Sequence, residues 1–325
     1  MKDVVELILR AERVTAICHE NPDGDTLGAA IAIAIAAERL GKQAEVVSGD
    51  PPPPFLAVLP RIEQVRDAPA LEPDLAVIVD TGDLQRTGRV ATEHGEWLSR
   101  TTIAVIDHHV SNRGFGAANW IDADAAATCE MVTLMLPALG LGLDAELATA
   151  LMTGIVQDTH TFAHPNATPR TLRVAAELVE AGAELSRLNR AVYADKPYST
   201  LRLWGRMLNS IDERRDGRIV HASMTLAMLS ETGEQPNASE GFVDLLGSTK
   251  AADITVLFKQ AEPERTRVSV RTTDGADAVA ITSAFGGGGH ARAAGCTVEA
   301  PIDAARKLVL AECERELDRG DARGR

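Results

Sequence analysis

Acidic and histidine side chains occur in three short clusters of this sequence, each directly after an apolar segment. The clusters are the segment HENPDGD at residues 19–25, the single residue Asp80, and Asp107-His108-His109. If they were gathered in one place, so many carboxylates would repel one another and raise their own pKa values unless cations were bound among them. Mixed Asp and His ligands without thiolates suit Mn²⁺, with Mg²⁺ or another divalent ion as alternatives. The clusters therefore predict a centre for divalent metal ions.

Each cluster also has a simpler explanation when it is taken alone. Asp23 and Asp25 flank Gly24, and aspartates beside a glycine are common turn residues. A single aspartate after a strand, such as Asp80, is often a helix cap. A pair of adjacent histidines also arises by accident on protein surfaces. The joint occurrence after three separate strands is much harder to explain by coincidence, so we favour the metal centre.

Three apolar segments must position these clusters. Residues 14–18, 75–79 and 103–106 are short apolar runs, and one cluster directly follows each of them. Such unalternating runs between helices indicate a parallel sheet that is covered on both faces. Ligands of an open parallel sheet bind beyond the carboxyl ends of its strands, so we expect the three clusters to meet at one edge. Further predicted elements are a strand at 44–48 and helices at 26–40, at 129–139, at 144–156 and from 168.

The pattern changes in the second half of the chain. A polar, mostly helical stretch at 184–212 precedes predicted strands at 219–225, 254–258 and 267–271, and a helix from 303 closes the chain. We predict an α/β fold, with a doubly wound parallel sheet in the N-terminal domain, a smaller α+β C-terminal domain, and the active site in the cleft between the domains. The predicted boundaries are 1–185 for the metal-binding catalytic domain, 186–214 for a helical connector and 215–325 for a substrate-binding domain.

Composition limits the class of partner. The 325 residues carry a formal net charge of −14, and aromatic residues make up only 3%. A long nucleic acid needs a basic stripe for its phosphates, and binding of single strands needs a row of stacking aromatics. We therefore expect no track for long nucleic acid. Small polyanions remain suitable partners if metal ions and a few arginines neutralise their charge locally.

The cysteines and the apolar runs indicate the compartment. Cys18, Cys129, Cys296 and Cys313 lie far apart without a CxxC pair, which is typical of buried thiols in a reducing compartment. The first residues predict an amphipathic helix rather than a signal peptide. The longest apolar run, at 28–37, is shorter than the about 20 residues that a membrane span needs. We expect a cytoplasmic protein that does not interact with membranes.

Taken together, the motifs resemble those of the DHH phosphoesterase family. HENPDGD, Asp80, Asp107-His108-His109 and the segment GIVQDT at 154–159 are similar to its first four motifs. The segment GGGGH at 286–290, followed by Ala293-Ala294-Gly295, is similar to the signature of the DHH-associated C-terminal domain. The resemblance covers nearly the whole chain. Its length and layout are most similar to the bifunctional oligoribonuclease and phosphoadenosine-phosphate phosphatase group, the NrnA type.

The resemblance implies a role for each matching residue. The implied ligands of one metal ion are His19, Asp23 and Asp80, and those of the second are Asp25, Asp80, His108 and Asp158. Asp80 would thus bridge the ions, Asp107 would orient a histidine, and His109 would face the substrate phosphate as a catalytic residue. The residues expected to contact substrate are Asn21, Ser269, Arg271, Gly287, Gly288, Gly289 and His290. Glycine N–H groups can approach an anion closely, which favours a phosphate cradle at that run.

The implied reaction is two-metal hydrolysis of a phosphate ester at the end of a short nucleotide. The implied substrates are RNA or DNA fragments of a few nucleotides (nanoRNA), phosphoadenosine phosphate, and linear or cyclic diadenylate. The resemblance is also compatible with a homodimer. One departure from the family pattern is His160, which replaces the common glycine after Asp158-Thr159 and has His164 nearby. Either histidine is an ordinary exposed side chain or an additional ligand or substrate contact.

Three alternatives remain open. A manganese-dependent inorganic pyrophosphatase would share the first motifs, but its Ser-Arg-Lys-Lys-Gln type segment is missing from the sequence. A single-strand exonuclease would need further nucleic-acid-binding domains and a basic channel. A catalytically silent nucleotide sensor is the third alternative, against which the intact set of metal ligands argues.

Overall fold

The computed structural model describes residues 1–239, 241–273 and 275–323. The chain divides into two compact units, Met1–Asp195 and Lys196–Arg325. The predicted connector at 186–214 therefore contains residues of both units. Within the described ranges, no helix is both long and apolar enough to cross a membrane.

The first unit alternates strands and helices. Its elements are α1 (Lys2–Arg10), β1 (Arg13–Ile17), α2 (Gly24–Arg39), β2 (Gln43–Val47), β3 (Leu75–Val79), α3 (Arg89–Glu93), α4 (Gly95–Ser99), β4 (Thr102–Asp107), β5 (Ala118–Ile121), α5 (Thr128–Met135), α6 (Ala145–Asp158), α7 (Pro169–Glu180) and α8 (Leu185–Asn189). Short helical turns lie at Pro54–Leu56, Ile62–Gln64, Leu84–Thr87, Leu136–Leu139 and Arg190–Ala194.

The strands of this unit form one parallel sheet of five strands in the order β2-β1-β3-β4-β5. Side chains alternate between its faces: Val77 and Val79 belong to a core that α2, α5 and α6 cover, and Ala76 and Ile78 pack with Val90 on the other face. This is the predicted doubly wound sheet. The strand order reverses between β1 and β3, the position at which such sheets form a ligand crevice.

Two helix termini differ from the sequence prediction. α2 begins at Gly24 instead of Thr26, because Asp23 caps it and accepts hydrogen bonds from the N–H groups of Asp25 and Thr26. The helix predicted at 129–139 ends at Met135 and continues as the tighter turn Leu136–Leu139, since a proline follows at position 137. The predicted start of α7 is confirmed, with Thr168 as cap and Pro169 in the first turn.

The second unit is the predicted α+β domain. Its elements are α9 (Tyr198–Leu208), β6 (Asp212–Arg214), β7 (Ile219–Met224), α10 (Leu226–Thr232), α11 (Phe242–Gly247), β8 (Ile254–Glu262), β9 (Arg265–Thr272), α12 (Ala278–Ser283), β10 (Gly288–His290), β11 (Ala293–Val298) and α13 (Ile302–Arg323). The strands form a mixed sheet in the order β10-β11-β9-β8-β7-β6, in which only β7 and β8 pair in parallel. One face packs under α13, and the other packs against α9 and α11.

Candidate active site

The carboxyl ends of β1 and β3 bring His19, Asp23 and Asp80 together. His19 Nε2 lies 3.7 Å from Asp23 Oδ1 and 3.4 Å from Asp80 Oδ2. His19 Nδ1 is 2.8 Å from the carbonyl oxygen of Glu20, which can only accept a hydrogen bond. Nδ1 therefore carries a proton, and Nε2 is the ring nitrogen that faces the two carboxylates.

A second group, Asp25, His108 and Asp158, adjoins the first. His108 Nε2 lies 3.3 Å from Asp158 Oδ2 and 3.3 Å from Asp80 Oδ1. Ligand atoms within each group lie within 4.8 Å of one another. Asp80 thus faces both groups, with Oδ2 toward His19 and Oδ1 toward His108. The structure brings all six predicted ligands together, and their role as metal ligands stays a prediction.

The pKa values of these side chains show an excess of negative charge at the site. Burial, and then repulsion by Asp80, raises the pKa of Asp25 to about 7. Burial, followed by repulsion from Asp25, raises the pKa of Asp158 well above its usual range. Burial opposes the shifts of the other two groups: a hydrogen bond with Asp80 and the charge of Asp158 raise the pKa of His108, and hydrogen bonds with His108 and His19 lower the pKa of Asp80. Protons here offset negative charge that divalent ions would neutralise more fully.

Asp80 holds an unusual backbone position. Its φ of 57° is left-handed, a region that costs a non-glycine residue free energy and that recurs at functional sites. The residue is only 3% exposed, and its N–H donates to the carbonyl of Ile106. It is not a helix cap, since Asp83 caps the next helical turn through a bond from Arg86 N–H. The explanation of Asp80 as an ordinary cap is therefore wrong.

Asp107 and His109 form a hydrogen-bonded pair. Asp107 Oδ1 accepts from His109 Nδ1 at 2.7 Å and from the His109 N–H at 3.2 Å. Asp107 Oδ2 accepts from Asn112 Nδ2 at 2.7 Å, and the same amide donates to the carbonyl of Thr81. The sequence analysis missed Asn112. In the sequence, the only indication of a buried amide that orients a carboxylate is its position just after the histidines.

A third group, Asp80, His108 and His109, also lies within 4.8 Å. His109 Nδ1 is 3.7 Å from Asp80 Oδ1. That nitrogen already donates to Asp107, so it would have to lose this hydrogen bond before it could bind a metal ion. The geometry favours His109 as a residue beside the metal ligands.

Asn21 and the two extra histidines lie on the surrounding loops. Asn21 is exposed, has a φ of 50°, and donates its N–H to Asp50. The rings of His160 and His164 stack with centroids 5.2 Å apart, and His160 also contacts Tyr193 at 4.5 Å. His160 has a φ of 48°, which explains why glycine suits this position elsewhere in the pattern.

The predicted substrate residues of the second unit share one part of its sheet. Ser269 pairs with Gly295, which pairs with Gly288, and Arg271 lies two residues further along β9. Arg271 is half-buried, and its Nε donates to Asp244 Oδ1 at 2.9 Å. The partners of Ser269 and Arg271 on β11 are Gly295 and Ala293, which are both small. The side chain of His290 lies outside the described part of the structure.

Two of the predicted cradle glycines have a packing reason to be glycine. A Cβ at Gly287 would lie 2.3 Å from the carbonyl oxygen of Gly295, and one at Gly289 would lie 2.5 Å from that of Ala293. Gly289 also has a φ of 142°. Around Gly288, by contrast, a Cβ would meet nothing within 4 Å among the described residues. Close contact with β11 therefore accounts for Gly287 and Gly289, and Gly288 has open space beside it.

Glycines also set the distance between the helices that carry Asp25 and Asp158. A Cβ at Gly28 of α2 would lie 2.4 Å from the carbonyl oxygen of Ala150 in α6. A Cβ at Gly154 of α6 would lie 2.5 Å from Asp25 Oδ1 and 2.4 Å from Cys129 Sγ. The two helices cross so closely that only hydrogen fits at these positions.

Two family models match this chain. The model of the DHH family N-terminal domain matches residues 13–155, and the model of the DHHA1 domain matches residues 216–315. The chain is 34% identical over 323 residues to the bifunctional oligoribonuclease and PAP phosphatase NrnA of Thermus thermophilus, which covers 98% of this chain and 95% of that protein. It is 26% identical to the NrnA protein of Bacillus subtilis, with 91% and 92% covered.

Solved structures show the same fold. An exopolyphosphatase-related protein from Bacteroides fragilis matches with a TM-score of 0.90 at 21% identity, covering 99% of this chain and 98% of that one. RecJ from Thermus thermophilus, in complex with Mn²⁺, matches with a TM-score of 0.56 at 15% identity, covering 98% of this chain and 54% of that one. At these identities the likeness concerns the fold alone.

Proposed function

This chain belongs to the DHH family, and on that premise we propose that it is a metal-dependent phosphoesterase acting on short oligonucleotides and small nucleotides. The observation that carries the proposal is the pair of adjoining ligand groups that share Asp80. Two ions held side by side by a shared carboxylate are the usual arrangement for hydrolysis of phosphate esters. The substrates of the NrnA relatives point to nanoRNA and phosphoadenosine phosphate, with linear or cyclic diadenylate as further candidates.

The donor atoms fit two divalent cations of the manganese or magnesium type. The groups offer carboxylate oxygens and imidazole nitrogens. Two thiols, Cys18 and Cys129, lie near Asp25 and Thr26, but burial raises the pKa of each and keeps it protonated. The site therefore lacks the thiolates that would favour zinc over manganese or magnesium. We assign one ion to His19, Asp23 and Asp80, and the other to Asp25, Asp80, His108 and Asp158.

The protein's own residues supply the remaining chemistry. When bound, the ions provide Lewis acidity to the phosphate and lower the pKa of a water molecule. Asp107 accepts a hydrogen bond from the Nδ1–H group of His109 and so fixes the orientation of the ring. His109 Nε2 is then the atom that can hold or release a proton for the leaving oxygen. Asn112 keeps Asp107 in place through its amide.

We assign substrate binding in the second unit to Ser269, Arg271 and the backbone at Gly288. Replacing Arg271 with alanine is expected to raise KM for a dinucleotide by about 10- to 100-fold, the effect of a lost hydrogen bond between charged groups, with kcat and metal content nearly unchanged. Steady-state kinetics and metal analysis on the same samples measure both. Arg267 is the matched control, because it is exposed and lies on the same face of β9. Loss of metal in the Arg271 variant would contradict the assignment.

Substrate length provides the second test. Each added nucleotide brings negative charge toward a protein of net charge −14. Catalytic efficiency is therefore expected to peak at about two to five nucleotides and to fall for longer chains, with high salt relieving the loss. A turnover panel with Mn²⁺ measures this on RNA of graded length, phosphoadenosine phosphate, diadenylates and pyrophosphate. Equal efficiency on a long strand and a dinucleotide at low salt would favour a single-strand exonuclease. A preference for pyrophosphate would favour a pyrophosphatase, and the absence of any turnover would favour a catalytically silent sensor.

A further inference from the structure

The segment that connects β5 to α5, together with the first turn of α5, holds the carboxylate of Asp25. Asp25 Oδ2 accepts from the N–H of Thr128 at 2.6 Å, and Oδ1 accepts from the N–H of Cys129 at 2.9 Å. These are the first N–H groups of α5, whose N-cap position is occupied by Ala127 without a capping side chain. Asp25 thus caps α5 from another helix, and α5 in turn fixes both oxygens of Asp25.

The same segment also contacts the histidine and the shared aspartate. The carbonyl oxygen of Ala125 lies 3.3 Å from His108 Nδ1, which places the ring proton there and turns Nε2 toward Asp158 and Asp80. Thr128 Oγ1 donates to Asp80 Oδ1 at 3.2 Å. Residues 122–129, here called the brace, therefore orient three of the predicted metal ligands.

An ion pair between the buried Glu130 and the partly exposed Arg170 fixes the brace. The side chain of Glu130 is fully buried, and its Oε2 accepts from the N–H of Ala126 at 3.0 Å and from Thr171 Oγ1 at 2.9 Å. Its Oε1 accepts from Arg170 Nε, and Arg170 Nη1 donates to Asp122 Oδ2 at 3.0 Å. Arg170 therefore ties Asp122 at one end of the brace to Glu130 beyond the other. Removing the arginine would leave a buried carboxylate without its counter-charge, a change that favours movement of the brace.

A second contact links the brace to Asp158. Asn166 Nδ2 donates to the carbonyl of Ala126 at 3.0 Å and to that of Asp158 at 3.2 Å. Asn166 is itself exposed, so its removal leaves the core intact. The brace thus reaches every predicted ligand of the second ion.

The two ligands particular to the first ion are held elsewhere. His19 Nδ1 donates to the Glu20 carbonyl, and its N–H donates to Thr26 Oγ1. Asp23 accepts from the start of α2. A movement of the brace therefore acts unequally on the two groups. In the part of the chain that the structure describes, its hydrogen bonds reach the first group through Thr128 and Asp80.

We propose that Arg170 and Glu130 are positioning residues that set the affinity of the second metal site through the brace. The inference rests on the proposed two-metal function. Partners that orient metal ligands change metal affinity by about 10- to 100-fold when they are removed. Arg170→Met should therefore weaken Mn²⁺ binding at the site of Asp25, His108 and Asp158 by that factor. Binding at the site of His19 and Asp23 should change by less than about threefold, because the hydrogen bonds of the described residues connect the brace to that site only through the shared Asp80.

Titration of the intact protein with Mn²⁺, followed by electron paramagnetic resonance of the free ion, measures both affinities. Asp158→Asn and Asp23→Asn identify which binding phase belongs to which site. Arg170→Lys keeps the positive charge but cannot contact Glu130 and Asp122 at the same time. Its Mn²⁺ affinity at the second site should therefore lie between those of Arg170→Met and the unaltered protein. Arg61→Met is the matched control, because Arg61 also joins two carboxylates of this unit, Glu38 and Glu146, away from the brace. It should leave both Mn²⁺ affinities unchanged.

The outcomes separate the inference from the function. Equal weakening at both sites, or unchanged affinities in folded Arg170→Met, would overturn the inference even if the unaltered protein hydrolyses nucleotides. If Arg170→Met does not fold, Asn166→Ala supplies the same comparison, and unchanged affinity of the second site in that variant would overturn the inference as well. An unaltered protein that binds two Mn²⁺ ions but hydrolyses no substrate would refute only the proposed function.

Discussion

Replacing Asp80 with asparagine is expected to lower hydrolysis of a dinucleotide by at least about a thousandfold, or about 4 kcal/mol of transition-state stabilisation. Asp80 is the only aspartate whose two oxygens face different ligand groups, within the described residues. The amide oxygen and nitrogen of asparagine cannot serve both groups as a carboxylate does. Asparagine tolerates a φ of 57°, so the backbone at the end of β3 is retained. Steady-state turnover with Mn²⁺ measures the loss of hydrolysis, and thermal unfolding shows whether the fold is retained.

Asp83→Asn is the control for this variant. Asp83 lies three positions further along and caps a helical turn, and an asparagine caps it equally well. Its turnover should equal that of the unaltered protein. A folded Asp80→Asn protein with near-normal turnover would refute the shared-ligand assignment, and so would equal losses in the two variants.

Replacing Gly154 with alanine is expected to destabilise the protein by about 3 kcal/mol and to reduce turnover by at least about a hundredfold. The new methyl would lie 2.5 Å from Asp25 Oδ1 and 2.8 Å from Asp25 Cα. Both are shorter than any van der Waals contact, so α2 or α6 must shift. Such a shift moves Asp25 relative to Asp158, and a displacement of about 1 Å in a catalytic group is enough for the loss of rate. Chemical denaturation and turnover measure the two effects.

Gly205 provides the opposite case. It lies inside α9, and a Cβ there would meet nothing within 4 Å among the described residues. Gly205→Ala should therefore stabilise the protein by about 0.5–1 kcal/mol, because alanine loses less backbone entropy on folding. If both variants changed stability by similar amounts, helix propensity and not the contact with Asp25 would explain the result for Gly154.

The sheet and the meeting of its ligand clusters were predictable because both depend on local patterns. β1, β3 and β4 are mainly apolar segments, and in a parallel sheet their carboxyl ends share one edge. A cluster placed after each run must then lie at that edge. The strand order, which reverses between β1 and β3, confirms the predicted doubly wound fold.

The supports of the site were not predictable, since they join residues far apart in the chain. Asp25 meets Thr128 across 103 positions, and Arg170 meets Glu130 across 40. A glutamate or arginine within a helical pattern is ordinarily an exposed residue, and no local signal marks the one that is buried. Arg271 is a similar case: the motif indicated the arginine, but nothing near it indicated its ion pair with Asp244.

The uncapped start of α5 has a consequence for protein engineering. Ala127 is the kind of position at which a designer seeking heat resistance would introduce serine, because a local cap commonly adds about 1 kcal/mol to a helix. A serine there would offer the N–H of Cys129 a rival acceptor and would weaken its hydrogen bond to Asp25. The improved helix would leave the Asp25 carboxylate less firmly oriented. Ala127→Ser would thus exchange activity for stability, and a library screened only for melting temperature would select it.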